Sequence, residues 1–476
     1  MAENASTLSL DFLNESIKRK FSKPGNTDTK TIGLELELFP FVSDGSPFPG
    51  VSDIMNENLN GTYDLLYANS LCRCSIFDPD KKLDIPRLNA AAGGIVTFEP
   101  GGQIEYSSSA DTSLKKAMNE LIVHMAELEN ILAANQVWFF FGAMNPWQSV
   151  EDVGLKMQKP RYRAMDRYFH NIGPFGQQMM RLSGSIQVNL DFGHDETGER
   201  RWLATNLLSP VFCAIFGNSP FLAGKPTGYK SYRSIIWQNL DNSRTGFPHL
   251  KYGGEGNRDV ITDYLDFALN ANVFTLPDET GCLGYCDSFV SFNSWLENGY
   301  NGFYPSIEDW ESHLTTLFPE VRAKGFMECR FMDGQAKPNW AVPAVLATAL
   351  VYDDQATEQV IELLGNTRDQ LDTMVTAAAR HGVAAFPELC RGLFNIALNI
   401  KDYPIESELL AYCERFYKHY TERSLNPADE LLSLNNGSVF AEDQYRTYED
   451  RLFDLIQPPA YVAAKNVKEL ARDCKC

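Results

Sequence analysis

The chain has 476 residues, of which 44% are hydrophobic and 12% aromatic, so it has enough apolar surface for a large folded core. Its formal net charge of −20 argues against phosphate backbones and anionic membrane surfaces as binding partners. The longest apolar run, residues 341–352, contains a proline and is shorter than the roughly 20 residues of a membrane span. We therefore expect neither nucleic acid nor membrane as a partner.

The first twenty residues do not have the composition of a targeting segment. They lack a basic start followed by an apolar block, and Glu3, Asp11 and Glu15 argue against a transit peptide. These features predict a cytoplasmic protein.

Strands and helices are both predicted over the first 340 residues. Residues 31–41, TIGLELELFPF, are typical of a buried strand. Apolar residues at three- and four-residue spacings from Leu114 to Leu132 predict an amphipathic helix. Further strands are predicted within residues 137–141, 183–193 and 325–334.

The chain is predicted to be mostly helical after about residue 340. No repeat, linker or low-complexity segment separates this part from the preceding residues. The pattern predicts an α+β fold with a helical C-terminal third. We predict an N-terminal extension (1–28), a single catalytic domain (29–456) and a C-terminal tail (457–476).

Common nucleotide-binding and hydrolytic motifs are absent from the sequence. The stretch GNSPFLAGKPT has six residues between Gly217 and Gly224, where a phosphate-binding loop has four. Neither a dinucleotide-binding glycine pattern nor a metalloprotease or nucleophile-elbow motif occurs. Any nucleotide would therefore be held in another way.

Pairs of polar residues spaced by two recur in the predicted strands, so both members of a pair project from one sheet face. The pairs are Glu35/Glu37, Gln103/Glu105, Gln187/Asn189 and Glu328/Arg330, and Glu99 precedes the second pair. An ordinary solvated face of an antiparallel sheet also has alternating polar residues. The abundance of carboxylate and amide oxygens instead favours a Mg²⁺ or Mn²⁺ site, because clustered carboxylates repel one another without cations.

Basic residues are concentrated in two other segments. Arg161, Arg163 and Arg167 lie within residues 159–168, and Arg233 and Arg244 lie within residues 228–248. Arginine forms bidentate contacts with carboxylates and phosphates, so we favour anion binding for the second group and surface positions for Arg163 and Arg167. Metal ions and arginines without a covalent nucleophile suit phosphoryl transfer from ATP.

Ordered blocks along nearly the whole chain carry a family resemblance. They include GLELE, FEPGGQIEYSS, NPWQSVEDVGLKMQKPRYRAM, SGSIQVNLDF, NSPFLAGKPTGYKSYRSIIWQNLDNSRTG and DWESHLTTLFPEVRAKGFMECR. The chain resembles glutamate-cysteine ligases, particularly the plant and proteobacterial branch. The resemblance implies an antiparallel-sheet half-barrel, similar to that of glutamine synthetase, which forms a funnel surrounded by helices.

The resemblance also implies roles for the polar residues. Two or three Mg²⁺ ions, or Mn²⁺, would be bound by Glu35, Glu37, Glu99, Glu105 and Glu328. Substrate binding is implied for Arg161, Arg233, Gln187 and Asn189. Arg330 and Arg244 would bind ATP, and these two residues together with Arg233 would stabilise charge during catalysis.

The implied activity is an ATP-dependent ligation in glutathione biosynthesis. The side-chain carboxylate of glutamate would attack ATP to form a γ-glutamyl phosphate, which the amine of cysteine would attack. The partners would be these small molecules, and the protein would be a monomer or homodimer. Where relatives read LEMRGADGG, this chain has Phe331, Met332 and Gln335 in place of Gly, Ala and Gly. A different amino-acid acceptor or donor is therefore the alternative.

Overall fold

The fold is that of a computed structural model, which describes residues 8–22, 29–43, 49–72, 77–79, 87–90, 93–247, 259–285, 288–434 and 441–463. The strands are β1 (Ile32–Val42), β2 (Gly50–Val51), β3 (Phe77–Pro79), β4 (Leu88–Ala90), β5 (Ile95–Phe98), β6 (Ile104–Ser107), β7 (Val137–Phe140), β8 (Ile186–Leu190), β9 (Phe221–Leu222), β10 (Lys225–Pro226), β11 (Thr245–Gly246), β12 (Thr275–Pro277), β13 (Leu283–Tyr285), β14 (Phe318–Pro319), β15 (Val321–Ala323) and β16 (Met327–Cys329).

Helices surround the strands and dominate the later part of the chain. Those before residue 340 are α1 (Leu10–Lys20), α2 (Thr62–Cys72), α3 (Leu114–Ala133), α4 (Val150–Val153), α5 (Pro160–Ile172), α6 (Pro174–Leu182), α7 (Asp195–Phe216), α8 (Tyr232–Asn239), α9 (Val260–Asn270), α10 (Phe292–Asn298) and α11 (Ile307–Leu314). Those after it are α12 (Val342–Tyr352), α13 (Asp354–Leu364), α14 (Leu371–His381), α15 (Pro387–Ala397), α16 (Ser407–His419), α17 (Pro427–Leu434), α18 (Glu442–Ile456) and α19 (Ala460–Ala463).

The main sheet is antiparallel, with the strand order β15-β16-β8-β1-β6-β5-β4-β3. Its central strand is β1, whose first half lies between β6 and β8 and whose second half pairs with β2 and β7. Side chains alternate across a strand. Leu34, Leu36 and Leu38 are therefore buried in the core, and Glu35 and Glu37 project from the opposite face.

The predicted amphipathic helix is present as α3. Ser113 caps its N-terminus by accepting a hydrogen bond from the Lys116 backbone N–H, and Leu121, Met125 and Leu128 are among the residues on its buried face. The buried apolar helix α12 opens the helical C-terminal part. The prediction of an α+β fold with an antiparallel sheet and a helical C-terminal third is confirmed.

Both ends of the described chain contact this body. Leu13 and Ile17 of α1 are fully buried, and the Val462 carbonyl accepts a hydrogen bond of 3.0 Å from Trp340 Nε1. The predicted division into extension, domain and tail stays a prediction. Within the described ranges, no helix combines the length and apolar character needed to cross a membrane.

Candidate active site

The register of the main sheet gathers glutamates from separate strands on one face. Glu37 lies opposite Glu105 in the pairing of β1 with β6, and Glu99 follows the end of β5. Glu37, Glu99 and Glu105 each place one carboxylate oxygen within 4.8 Å of the other two. We call these three residues the carboxylate cluster. The cluster forms part of the lining of a cavity of about 460 Å³.

A tight turn between β5 and β6 positions Glu99. Gln103 accepts a hydrogen bond of 3.0 Å from the Gly101 N–H and donates one of 2.8 Å to the Ser183 carbonyl. A Cβ atom at Gly101 would lie 2.2 Å from the Arg181 carbonyl oxygen, so a larger residue would force the turn away from α6. Glycine at this position lets the turn pack closely against the end of that helix.

Neutral hydrogen-bond donors hold two members of the cluster. Thr97 and Ser107 donate their hydroxyls to Glu105 Oε1 at 3.0 and 3.2 Å. Ser185 donates its hydroxyl to Glu37 Oε2 at 3.0 Å. Hydroxyls orient a carboxylate without neutralising its charge, so these contacts leave negative charge directed into the cavity.

Burial raises the pKa of every member of the cluster. The effect is greatest at Glu99, where desolvation is the main cause and repulsion from Glu105 and Glu37 adds to it. The pKa values of Glu105 and Glu37 are raised chiefly by desolvation as well, although Arg233 and Arg330 oppose the shift at Glu37. Such mutually repelling oxygens fit a hard divalent cation, which would offset both the desolvation of the carboxylates and their repulsion.

Glu35 lies beside the cluster. Burial, followed by repulsion from Glu105 and Glu328, raises its pKa to about 7. Asn189 on β8 donates a hydrogen bond of 2.8 Å to Glu35 Oε1. The structure therefore places Asn189 where it orients a carboxylate that lines the cavity.

Glu328 lies at the same cavity but is neutralised by basic side chains. Arg322 contacts its two oxygens at 2.6 and 3.1 Å, and Lys324 and Arg330 each approach to 2.7 Å. Burial would raise the pKa of Glu328, but these three cations hold it well below its usual range. Both carboxylate oxygens therefore have cationic partners in this structure, and the metal-ligand role of Glu328 stays a prediction.

Gln187 lies between Glu37 of the carboxylate cluster and Arg330, which is a partner of Glu328. Its amide nitrogen donates to Glu37 Oε1 at 3.1 Å, and its amide oxygen accepts from Arg330 Nη1 at 3.3 Å. Gln187 and Arg330 line the cavity. The guanidinium of Arg330 thus lies between the acidic strands and Glu328, facing the space where an anion would meet a metal-bound carboxylate cluster.

Arg233 lies behind the cavity wall, with its side chain only 3% exposed. Its Nη2 donates to the Arg330 carbonyl at 2.7 Å, and its guanidinium lies 4.6 Å from the centre of the Trp237 ring. Asp333 is 3.9 Å from Arg233 Nη1. Arg233 therefore supports two cavity residues, Arg330 and Trp237, and its predicted role in binding substrate stays a prediction.

Arg244 is fully buried in a separate polar network. Its Nε contacts Asp241 at 2.7 Å, its Nη1 donates to the Thr316 carbonyl at 3.0 Å, and its Nη2 donates to the Asn272 carbonyl. The guanidinium lies 4.0 Å from the centre of the Phe274 ring. These contacts join separate loops, and the predicted role of Arg244 in binding ATP stays a prediction.

Arg161 lines the cavity at the start of α5, as expected for a substrate-binding residue. Other lining residues were not predicted from the sequence: Lys20, Tyr162, Trp237, Tyr264, Glu311, Arg322 and Lys324. A signal for Arg322 and Lys324 was present, because they repeat the spacing of two that marks the other polar pairs. Lys20 carries no comparable signal.

Comparison with known proteins assigns the family. A family model described as Glutamate-cysteine ligase family 2 matches residues 31–391. The chain belongs to this family. The prediction of a family member is therefore confirmed.

Relatives and a solved structure agree with the assignment. The chloroplastic glutamate–cysteine ligase of Nicotiana tabacum is 30% identical over 72% of this chain and 66% of its own length. The chloroplastic enzyme of Solanum lycopersicum is 29% identical over 85% of this chain and 76% of its own. The crystal structure of Francisella tularensis glutamate–cysteine ligase in complex with AMP has a TM-score of 0.51, 14% identity and 96% coverage of both chains, which shows a shared fold.

The same relatives correct the predicted location. Proteins from tobacco, tomato and Medicago truncatula that match this chain are all named as chloroplastic. The prediction of a cytoplasmic protein, which relied on the composition of the first twenty residues, is contradicted by this finding.

Proposed function

We propose that the protein catalyses ATP-dependent formation of γ-glutamylcysteine from glutamate and cysteine. One observation carries the proposal: within the fold of this family, the carboxylate cluster shares a cavity with Arg330 and the basic side chains around Glu328. An acidic metal-binding wall opposite a basic wall is suited to a polyphosphate that bridges them.

The chemistry of the donor set supports Mg²⁺. Glu37, Glu99 and Glu105 would hold the ion, with Glu35 beside them, and two or three ions or Mn²⁺ remain the expectation. When bound, the metal neutralises the phosphate oxygens of ATP. The carboxylates must lose their protons to bind it, and their raised pKa values oppose this until the cation compensates.

Arg330 would stabilise the negative charge that develops during phosphoryl transfer. Its backbone is held by Arg233, and its guanidinium is held by Gln187 and Glu328. A fixed guanidinium needs little reorganisation as charge moves, which is the basis of electrostatic catalysis. Arg161 at the cavity wall is suited to a substrate carboxylate.

The proposed reaction has two displacements. The γ-carboxylate of glutamate attacks the terminal phosphorus of ATP and releases ADP, which leaves a γ-glutamyl phosphate. The amine of cysteine then attacks the acyl carbon, loses a proton and releases inorganic phosphate. No covalent bond to the protein is required.

The residues that suggested another acceptor are packed inside the body. Phe331 stacks edge-on against Phe212 with ring centres 5.7 Å apart, and Met332 is fully buried. Gln335 donates a hydrogen bond of 2.6 Å to the Phe216 carbonyl. These side chains face the core beneath α7, so they provide no reason to prefer a different amino acid.

The test is an incubation of the purified protein with ATP, Mg²⁺, glutamate and a panel of amino acids, followed by mass spectrometry and measurement of ADP. We expect γ-glutamylcysteine and one ADP for each product molecule. ADP formation without a γ-glutamyl product, or a product only with another amine, would contradict the proposal. Light scattering of the same sample measures whether it is a monomer or a homodimer.

A further inference from the structure

Helix α1 lies before the region matched by the family, residues 31–391, yet it is built into the wall of the cavity. Leu13 and Ile17 anchor its apolar side in the core. Ser16 donates its hydroxyl to Glu311 Oε1 at 3.0 Å and accepts a hydrogen bond of 3.0 Å from Trp310 Nε1. The helix is therefore held in the core by apolar side chains and joined to α11 by hydrogen bonds.

The C-terminal end of α1 contacts the hairpin of β15 and β16. The Gly325 N–H donates a hydrogen bond of 2.6 Å to the Lys20 carbonyl, in the turn that follows Lys324. Phe21 packs edge-on against Tyr264 with ring centres 5.4 Å apart. Tyr264 and Lys324 both line the cavity, so the end of the helix is attached to the cavity wall at two points.

These contacts place the side chain of Lys20 in the cavity lining. Its ammonium group lies 2.7 Å from Glu311 Oε2, and the side chains are 31% and 41% exposed. Arg322 and Lys324 are engaged with Glu328, whose side chain is only 1% exposed. Glu311, in contrast, is solvated, so Lys20 can exchange this partner for another anion at small cost.

We propose that α1 is part of the active site and that Lys20 binds an anionic group of a substrate there. The group is a phosphate of the nucleotide or a carboxylate of the amino acid, both of which an ammonium recognises as a point charge. The inference rests on the proposed function, because that function supplies the anions. It assigns a binding residue to a segment outside the matched family region.

The alternative role for Lys20 is to anchor the helix through Glu311, and two variants separate the roles. Lys20→Met removes both the ion pair and the anion-binding charge. Glu311→Gln removes only the ion pair and leaves the ammonium available. Lys18→Met, which changes an exposed lysine of the same helix, is the matched control.

We expect Lys20→Met to raise the KM of one anionic substrate about tenfold, the usual effect of losing a hydrogen bond to a charged group, with little change in kcat. Lys20→Arg should restore part of the affinity. Lys18→Met should leave that KM unchanged. Glu311→Gln should leave it unchanged or lower it. Equal increases in KM for Lys20→Met and Glu311→Gln would overturn the proposal and assign Lys20 to the ion pair.

Varying ATP and glutamate in turn identifies which anion Lys20 contacts. Calorimetric binding of a non-hydrolysable ATP analogue with Mg²⁺, and of glutamate with that analogue present, measures affinity without turnover. If the wild-type protein forms no γ-glutamylcysteine, the proposed function fails, whereas the binding measurements still test Lys20. Unchanged affinity for both ligands in a Lys20→Met protein with a wild-type melting temperature would overturn the inference.

Discussion

The carboxylate cluster and the β15–β16 hairpin place glutamates on one face of the same sheet, but they balance negative charge differently. Glu105 is held by Thr97 and Ser107, which are neutral donors. Glu328 is held by Arg322, Lys324 and Arg330, which are cations. Burial and repulsion from Glu37 raise the pKa of Glu105 although its two hydrogen bonds lower it, whereas the three cations outweigh burial and lower the pKa of Glu328.

This difference shows that residue type and sheet face do not decide the electrostatic surroundings of a carboxylate. A carboxylate surrounded by neutral donors retains its charge for a ligand, whereas one paired with several cations contributes to a basic wall. The carboxylate cluster and the hairpin therefore form surfaces of opposite character, separated by Gln187, which contacts Glu37 on one side and Arg330 on the other.

The largest expected effect is on activity when the cluster loses a charge. We expect Glu105→Gln to lower kcat/KM roughly 100-fold or more, because a metal that neutralises phosphate charge would be held less well. Steady-state assays at saturating Mg²⁺ measure this loss. Glu199→Gln, at an exposed position on α7, is the control for an equal change in charge. Wild-type activity in Glu105→Gln would contradict a catalytic role for the cluster.

Stability should respond in opposite directions at the two sites. We expect Glu328→Gln to lower the free energy of unfolding by about 3 kcal/mol, because it leaves Arg322, Lys324 and Arg330 without their buried anion. In EDTA, Glu105→Gln should leave stability unchanged or raise it, because it removes repulsion. Urea unfolding measures both. If both substitutions lower the free energy of unfolding, or both raise it, the two sites do not balance charge in different ways.

The stability of the metal-free protein should also depend on pH through the acidic wall. Glu35 has a pKa of about 7 in the folded state and 4.5 as its ordinary value, so the folded protein binds more protons between these values. Stability should therefore fall as pH rises from about 5 to 8, by on the order of 2 kcal/mol. Urea midpoints in EDTA measure the fall.

Two further measurements, one with Mg²⁺ and one on a Glu35→Gln variant, make this pH test more specific. Mg²⁺ should restore stability at pH 8, where the carboxylates are ionised, and should have little effect at pH 5. Glu35→Gln should make the pH dependence less steep, because one of the titrating groups is gone. If the stability of Glu35→Gln falls with pH as steeply as that of the wild-type protein, another group causes the loss of stability.

The smallest expected effect concerns the neutral donors around Glu105. Thr97→Val removes one hydrogen bond to that carboxylate, which is worth about 1 kcal/mol, and should raise the Mg²⁺ concentration for half-maximal activity roughly fivefold. Magnesium titrations of activity measure the shift. Thr112→Val, at an exposed position before α3, should leave the titration unchanged.

Much of the fold and part of the site could be predicted from local patterns. The alternation of residues in β1 predicted that Leu36 is buried and that Glu35 and Glu37 project from the other face. The same spacing of two predicted that Glu105 and Gln187 project from the polar face of the sheet. The family resemblance, carried by blocks such as GLELE and FEPGGQIEYSS, supplied ATP and ligation. The predicted directions of these side chains agree with the structure because side-chain direction along a strand depends on neighbouring residues alone.

The individual roles of Arg233, Arg244 and Lys20 could not be predicted in this way. Arg233 and Arg244 share one basic segment, but one packs behind Arg330 and the other beside Phe274. Lys20 has no motif, and it reaches the cavity because α1 docks on a hairpin about 300 residues later in the chain. Local sequence does not encode which distant element a side chain will meet.

Alternation along each strand was sufficient to assign oxygen ligands to one face of the sheet. Register and strand order then determined that Glu37 meets Glu105, whereas Glu328 lies opposite Arg322. Those pairings follow from packing between segments far apart in the chain, and electrostatic energy depends on the resulting distances. The division of one polar face into an acidic wall and a basic wall is therefore a property of the assembled sheet.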